Sequence, residues 1–168
     1  MLKHISYEDS SMALNEAKAY LKQFGLDVNV QEFDVSSATV EDAAKALNTD
    51  GKHIAKTLAF RHDEGPLLIL AAGDAKVDNA KFRQQFQMKA RMMSPEELID
   101  QVGHAMGGVC PFGVKEGCQV YLDVSMKRFE HVYPAVGSAN SAIKLDLNTL
   151  EKASQAKAWI DVCKDWEL

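Results

Sequence analysis

The feature of this sequence that most constrains the fold is a pair of apolar segments joined by a turn. Residues 54–61 and 67–72 combine branched and small apolar side chains in runs of strand length. Between them, Asp63-Glu64-Gly65-Pro66 has the composition of a tight turn. The sequence therefore predicts a β-hairpin in the middle of the chain.

Other elements are interleaved irregularly with this hairpin. Helical spacing predicts helices over 11–24, 40–47 and 148–155, and the pattern of helix N-caps occurs at Thr39, Asp78 and Ser94. Further strands are predicted over 28–35, 118–124, 131–136, 142–147 and 157–162. The chain has no repeat, no Pro/Ser-rich linker, no GxGxxG and no Walker loop. The expected fold is therefore one α/β domain over residues 1–168, built around a mixed sheet.

Length and composition exclude several classes of protein. With 168 residues, 46% hydrophobic and 26% charged, the chain has the composition of an ordinary soluble globular domain. No apolar run approaches the ~20 residues of a membrane helix, so no membrane partner is expected. The N-terminus lacks the apolar core of a signal peptide, which predicts a cytoplasmic protein. Three scattered cysteines without CxxC spacing argue against a disulfide framework and against a zinc site.

The charge distribution leaves two interpretations open. A net charge of −5 argues against a protein that holds DNA or other long nucleic acid by charge alone. Residues 76–91, however, carry a local charge of +4, and residues 52–62 add three basic residues without an acid. This basic surface either binds a short end of nucleic acid or is a solvated helix face.

Lys56 is the first candidate functional residue. In a strand over 54–61 it shares the more apolar face with Leu58 and Phe60. Burying an unpaired ammonium is unfavourable, so the head either escapes to solvent or meets an anion. The first alternative is a lysine with a packed stem, and the second is a lysine that lines a pocket for a phosphate or carboxylate.

The second candidate is the segment 103–117, which holds five of the ten glycines. Ordering so much glycine costs backbone entropy, so the segment needs a compensating role. Pro111 and Phe112 would stiffen it, and a rigid loop that presents backbone N–H groups can bind a carbonyl oxygen or a developing oxyanion. A structural turn that uses glycine for close packing is the alternative.

Three further arrangements give weaker predictions. Cys110 is either a nucleophile or a small packed thiol, and no His–Asp arrangement that would activate it is visible. His104, Cys110 and Cys118 match no standard zinc spacing, so no metal is expected. Asp74 and Asp78 are explained by a turn and a helix cap more simply than by a carboxylate pair.

The order of these segments resembles a known family. The motifs are Ile54-Ala55-Lys56-Thr57-Leu58, Ala72-Gly73-Asp74 with Val77-Asp78, Gly107-Gly108-Val109-Cys110-Pro111-Phe112-Gly113, Val120-Tyr121-Leu122-Asp123 and Ala135-Val136-Gly137-Ser138. Together they resemble the YbaK/EbsC family, which shares its domain with the editing insertion of bacterial prolyl-tRNA synthetases. The resemblance covers roughly residues 11–155. It implies a barrel-like mixed sheet surrounded by helices.

The resemblance also implies an activity: hydrolysis of the ester between a small amino acid (Cys, Ala, Ser or Thr) and the terminal adenosine of a tRNA, without a cofactor. Its implied partners are the aminoacyl-tRNA acceptor end and a synthetase. By motif position Lys56 would contact the tRNA end or the aminoacyl group. The Gly107–Pro111 loop, including Gly108 and Val109, would hold the substrate's carbonyl or amino group. The implied pocket walls are Thr57, Cys110, Ser138 and Phe33.

One departure and two competing hypotheses accompany this resemblance. Cys110 stands before Pro111, where a small hydroxyl residue is expected in many relatives, so the particular substrate stays open. An aminoacyl ester is already activated, and positioning with oxyanion stabilisation suffices to hydrolyse it without a catalytic triad. The alternatives are a binding or regulatory module with the same fold, and a hydrolase that uses the Cys110 thiol.

Overall fold

The computed structural model describes residues 7–167, with side chains from residue 12 onwards. Its helices are α1 (Tyr7–Lys22), α2 (Val40–Leu47), α3 (Asn79–Phe86), α4 (Pro95–Glu97) and α5 (Leu147–Ser154). A π-helical segment, Leu98–Val102, continues from α4. The strands are β1 (Gln31–Glu32), β2 (Ile54–Phe60), β3 (Leu67–Ala72), β4 (Lys76–Val77), β5 (Gln119–Asp123), β6 (His131–Pro134), β7 (Ser141–Ala142), β8 (Leu145–Asp146), β9 (Trp159–Ile160) and β10 (Cys163–Lys164).

The main sheet has six strands in the order β8-β6-β2-β3-β5-β9 and curls into a half-barrel. Its centre is the antiparallel hairpin β2–β3, in which Lys56 lies opposite Ala71 and Phe60 lies opposite Leu67. The pairs β2–β6, β3–β5 and β5–β9 are parallel, and β6–β8 is antiparallel. Two small antiparallel pairs, β1–β7 and β4–β10, lie beside this sheet. The expected α+β fold around a mixed, barrel-like sheet is confirmed.

The core is built on β3, whose residues are buried from Leu67 to Ala72. Both faces of this strand are covered, which explains its continuous apolar sequence without polar alternation. Helix α1 contributes Ala17 and Leu21 to the same core. No helix within residues 7–167 combines the length and the apolar character that crossing a membrane requires.

Local sequence signals predicted most elements correctly. The N-caps are confirmed, because Thr39, Asp78 and Ser94 each accept a backbone N–H from the first turn of α2, α3 and α4. The strand predicted over 28–35 is wrong for most of its length. Residues 27–29 form a 3₁₀ turn, and only Gln31–Glu32 pair, with β7. The physical reason is that this segment crosses the surface, where Val28 and Val35 are 83% and 60% exposed, so the alternating burial that stabilises a strand is missing.

Two other boundaries differ from expectation. The helix predicted over 11–24 begins at Tyr7 and ends at Lys22. The strand predicted over 142–147 is replaced by β7 and β8, which pair with different strands, and α5 starts at Leu147. Strands β4 and β10 have two residues each, too few to produce a periodic signal in the sequence.

A charged pair braces α4 against the end of β2. The Arg61 guanidinium donates to both oxygens of Glu97, with Nη2–Oε1 at 2.6 Å. The pKa of Glu97 falls from 4.5 to about 2, first because of this bond and then because the backbone N–H of Ser94 also donates to the carboxylate.

This pair predicts an acid-dependent loss of stability. A carboxyl with a depressed pKa stabilises the fold fully above its unfolded pKa of 4.5 and loses this effect as the pH falls towards about 2. Wild type should therefore melt above Glu97→Gln near neutral pH, and the two melting temperatures should converge between these two pH values. Thermal unfolding measured over this range tests the prediction. Glu96→Gln, on the same helix, is the control, and equal pH profiles for both variants would contradict it.

Candidate active-site pocket

A gap along one edge of β2 forms the floor of the main pocket. On this edge β2 pairs with β6 only at Ile54 and Ala55. Further along, the Ala59 carbonyl accepts from the Met93 N–H at 3.0 Å. Backbone groups alternate along a strand, so Thr57 directs its N–H and C=O to the same edge, between these two contacts. No described strand pairs with Thr57 there, which leaves a hydrogen-bonding backbone edge open to a ligand.

The pocket above this gap has a volume of about 260 Å³. Its walls come from β2, from residues 37–43, from the loop 106–109, and from segments near residues 92–98 and 133–142. The lining is mostly small and apolar, and among the described residues Lys56 is the only charged one in it. This size suits a small ligand, since pockets for drug-sized molecules begin at about 300 Å³.

Lys56 lies in the middle of β2 and is half-buried. Its ammonium donates to the carbonyls of Ala75 and Gly73, the latter at 3.4 Å. An ammonium has three N–H donors, so one remains for a ligand. Burial lowers the pKa of Lys56, while Cys163 and Asp74 oppose the shift and Lys76 adds to it. The aliphatic stem of Lys56 therefore lines the pocket, while its ammonium contacts the 73–75 turn and keeps one N–H donor unused.

The 73–75 turn that contacts the Lys56 ammonium is held in place by residues from other parts of the chain. Asp74 accepts two bonds from Arg128, at 2.9 Å and 2.5 Å, and this bond is the first cause of its lowered pKa. A Cβ on Gly73 would lie 2.0 Å from the Gly51 carbonyl oxygen, so only glycine allows this close approach. Asp74 is therefore a structural ion-pair partner, and Asp78 is a helix cap, as the sequence predicted.

The Gly107–Pro111 loop contributes another wall of the pocket, and its residues Gly107 and Val109 belong to the lining. Gly107 has a φ of +91°, and a Cβ there would lie 2.9 Å from that of Ala38. Gly108 packs on the backbone of Ser138, where a Cβ would meet the nitrogen at 2.7 Å. Its N–H donates to the Ala105 carbonyl, so the N–H groups of Gly107 and Val109 are the loop's candidates for binding a ligand.

The buried His104 side chain stabilises the Gly107–Pro111 loop through a hydrogen bond. Its Nε2 lies 2.9 Å from the Phe112 carbonyl oxygen, and Phe112 stacks on Tyr20 of α1. The pKa of the imidazole is lowered because it is buried. The ring is therefore neutral near pH 7 and donates from Nε2, which joins the two ends of the loop.

Cys110 and Pro111 are buried within the loop and lie outside the pocket lining. The Cys110 thiol contacts His104 Nε2 and the Phe112 carbonyl, each at 3.5 Å. Burial raises the pKa of Cys110 to about 12, so the thiol stays protonated. A protonated, inaccessible thiol is a poor nucleophile, and the packed-thiol interpretation fits this environment.

Ser138 and Phe33 support the pocket from outside its lining. The Ser138 hydroxyl donates to Ser141 Oγ at 2.7 Å and also contacts Asn140. Asn140 donates to the Phe33 carbonyl, and the Ser37 N–H donates to Ala139. These bonds hold the 33–38 segment against the 138–141 loop.

Several wall residues have no signal in the sequence. Segment 36–39 carries only small polar and apolar side chains, and its pattern predicts Thr39 only as a helix cap. Met92 and Met106 lie at the pocket while remaining 61% and 58% exposed. They come from distant segments, so no local pattern joins them.

The predicted basic surface is partly neutralised. Lys81 pairs with Asp161 at 3.0 Å and also donates to the Cys163 carbonyl, and Arg61 is held by Glu97. Lys76, Arg83, Lys89 and Arg91 remain exposed and form no ion pair with the described residues. Among residues 7–167, no three His, Cys, Asp or Glu side chains form a group able to hold a metal ion.

Comparison with known proteins assigns this architecture to a family. Residues 34–153 match the aminoacyl-tRNA editing domain. The chain is 52% identical to the uncharacterised protein YwhH of Bacillus subtilis strain 168 over 157 residues, which is 93% of this chain and all of that protein. It is 27% identical over 147 residues to the proline–tRNA ligase of Bacillus pumilus strain SAFR-032, covering 82% of this chain and 26% of that enzyme.

A solved structure agrees with the sequence matches. A crystal structure of a proposed trans-editing enzyme for prolyl-tRNA synthetase superposes with a TM-score of 0.82 at 25% identity, over 96% of this chain and 99% of that one. The matched region 34–153 contains β2, the Gly107–Pro111 loop and the pocket between them. The chain therefore belongs to the aminoacyl-tRNA editing domain family.

Proposed function

We propose that this protein is a trans-editing hydrolase that removes a small amino acid, such as Cys, Ala, Ser or Thr, from the terminal adenosine of a mischarged tRNA. The observation that carries the proposal is the meeting of three features in one small pocket. These are the Lys56 side chain, whose ammonium lies against the 73–75 turn, the open backbone edge at Thr57, and the Gly107–Val109 wall. All three offer hydrogen-bond donors, which is the chemistry an ester needs as its carbonyl oxygen becomes negative.

The reaction uses few protein groups. A water molecule attacks the carbonyl carbon, and the carbonyl oxygen gains the negative charge. The backbone N–H groups of Thr57, Gly107 and Val109 are the candidate donors to that oxygen. The bond to the ribose oxygen then breaks, that oxygen takes the proton that the attacking water loses, and the free amino acid leaves. A hydroxyl or thiol of the substrate itself is the alternative attacking group.

Lys56 is assigned to substrate positioning at the tRNA end. Its free N–H donor and positive charge suit a phosphate or the aminoacyl carbonyl. Holding the ester correctly against the open edge of β2 supplies much of the rate, because an activated ester needs little acid–base help. Gly107, Gly108 and Pro111 are assigned to shaping the opposite wall.

The partner in this proposal is the acceptor end of an aminoacyl-tRNA. The exposed residues Lys76, Arg83, Lys89 and Arg91 offer positive charge for its phosphates. A synthetase partner is proposed as well, since relatives carry the domain within proline–tRNA ligases. Since both proposed partners belong to the translation machinery, the proposed location of the protein is the cytoplasm.

The test is deacylation of tRNAs charged with Cys, Ala, Ser, Thr and Pro. Wild type should release one or two of these amino acids faster than spontaneous hydrolysis does. Survival of every ester at high protein concentration would refute the proposal. The alternative, a binding or regulatory module with the same fold, would then be the better explanation. Tight binding of an aminoacyl-adenosine without ester loss would support it.

Removal of the Cys110 thiol tests the thiol-dependent alternative. Because this thiol is buried and its pKa is raised to about 12, Cys110→Ala should keep deacylation within about threefold of wild type. The lost packing should lower the free energy of unfolding by about 1 kcal/mol. Deacylation kinetics and urea unfolding measure the two effects. A folded variant without activity would instead support a cysteine nucleophile.

A further inference from the structure

The pocket contains two buried hydroxyl groups without a partner. Ser37 Oγ and Thr57 Oγ1 form no hydrogen bond with any described residue, and both residues line the pocket. Ser37 is only 6% exposed. Folded proteins leave few buried polar atoms unpaired, so two in one pocket point to a bound group that completes them.

Two other hydroxyls of the lining, those of Thr39 and Ser141, give a useful contrast. Thr39 Oγ1 accepts the Asp42 N–H at 3.0 Å and caps α2. Ser141 Oγ accepts from Ser138 and donates to the Ser138 carbonyl at 3.4 Å. These two hydroxyls are used within the chain, and the Tyr133 hydroxyl is not among the buried unpaired atoms. Ser37 and Thr57 are therefore the buried hydroxyls of the lining that have no partner among the described residues.

The depth of the two hydroxyls identifies the part of the substrate that they meet. The ribose is part of a tRNA, so it must remain near the mouth, where Met92 and Met106 are 61% and 58% exposed, while the ester reaches the open edge of β2. Ser37 Oγ and Thr57 Oγ1 are shielded from solvent. The deeper part of the pocket therefore receives the amino-acid side chain.

The chemistry of the wall limits this side chain. The pocket lining is mostly small and apolar, with Ala38, Ala55, Ala59 and Val109 among its members. Among the described residues no acid lines the pocket, so a cationic side chain has no counter-charge. A hydroxyl side chain both donates and accepts, whereas a methyl group does neither and a thiol does both weakly.

From these observations we infer that the aminoacyl group cleared here carries a hydroxyl side chain, serine first and threonine as the larger member, and that Ser37 and Thr57 are its specificity-determining residues. The inference rests on the proposed deacylase function. A site built to hydrogen-bond a hydroxyl discriminates against the analogue that lacks it, because the buried partners are then left unpaired.

Serine and alanine esters of the same tRNA test the inference, since they differ by one hydroxyl. Wild type should favour serine in kcat/KM by at least about tenfold. Thr57→Val keeps the side-chain shape, and together with Ser37→Ala it should bring the ratio near one. Thr49→Val, at a half-buried threonine outside the lining, is the control and should keep the wild-type ratio. A wild-type preference for alanine, or an unchanged ratio in the double variant, would overturn the inference.

A binding experiment separates this inference from the proposed function. Adenosines that carry serine or alanine through a stable 3′-amide are titrated calorimetrically into wild type and the double variant. If no tRNA ester is cleared, the deacylase proposal fails, yet a serine preference of at least about tenfold that the double variant loses still supports the pocket assignment. Equal binding of the two amides by wild type overturns it.

Discussion

Replacing Lys56 with alanine should reduce deacylation by about 10²- to 10³-fold in kcat/KM, the range for loss of one preorganised donor. Within the part of the chain that the structure describes, this side chain is the only charged one in the pocket lining, and its ammonium is oriented by the Gly73 and Ala75 carbonyls. The protein should remain folded, because removing a half-buried ammonium relieves a desolvation cost. Single-turnover kinetics with the best ester of the panel, together with a thermal melt, measure both effects.

Two variants make this result specific to Lys56. Lys76→Ala removes an exposed lysine beyond the same turn and should have a far smaller effect than Lys56→Ala. Lys56→Arg keeps the charge but cannot reproduce the compact ammonium between two carbonyls, so it should restore little activity. Full activity in Lys56→Ala would remove this residue from the mechanism.

Replacing Gly107 with alanine should have the second large effect, about 10²-fold on kcat/KM. The backbone there has a φ of +91°, which an L side chain rarely adopts, and the new Cβ would lie 2.9 Å from that of Ala38. The loop and the 36–38 wall must then move apart. A displacement of about 1 Å near a reacting group is enough for a loss of this size.

Gly117→Ala is the matched control for this change. Gly117 has a φ of +98°, and no atom lies within 4 Å of the added Cβ. Both variants should lose a similar amount of stability from backbone strain, but only Gly107→Ala should lose deacylation. Equal activities in the two variants would show that the close packing on Ala38 has no role in catalysis.

The candidate site was predictable where a residue type is locally unusual. A lysine on the apolar face of β2 and a glycine-rich segment before Pro111 were both visible as departures from ordinary core and loop sequence. The structure brings Lys56, Thr57, Gly107 and Val109 to one pocket, which the sequence suggested only through the family resemblance. Five other predicted site residues lie outside the lining, because a sequence motif does not specify which of its side chains face a pocket: Gly108, Cys110, Pro111, Ser138 and Phe33.

The sequence by itself determined the β2–β3 hairpin and the helix caps at Thr39, Asp78 and Ser94. Each depends on neighbours within a few residues, through turn chemistry or side-chain bonds to the backbone. Only the tertiary structure decided that β6 pairs with β2 for two residues and then leaves Thr57 uncovered. Strand partners are chosen by burial between distant segments, and so are the walls that carry Ser37 and Met106. The pocket exists because the pairing of β6 with β2 stops after Ala55, and no local sequence pattern predicts where a distant strand ends.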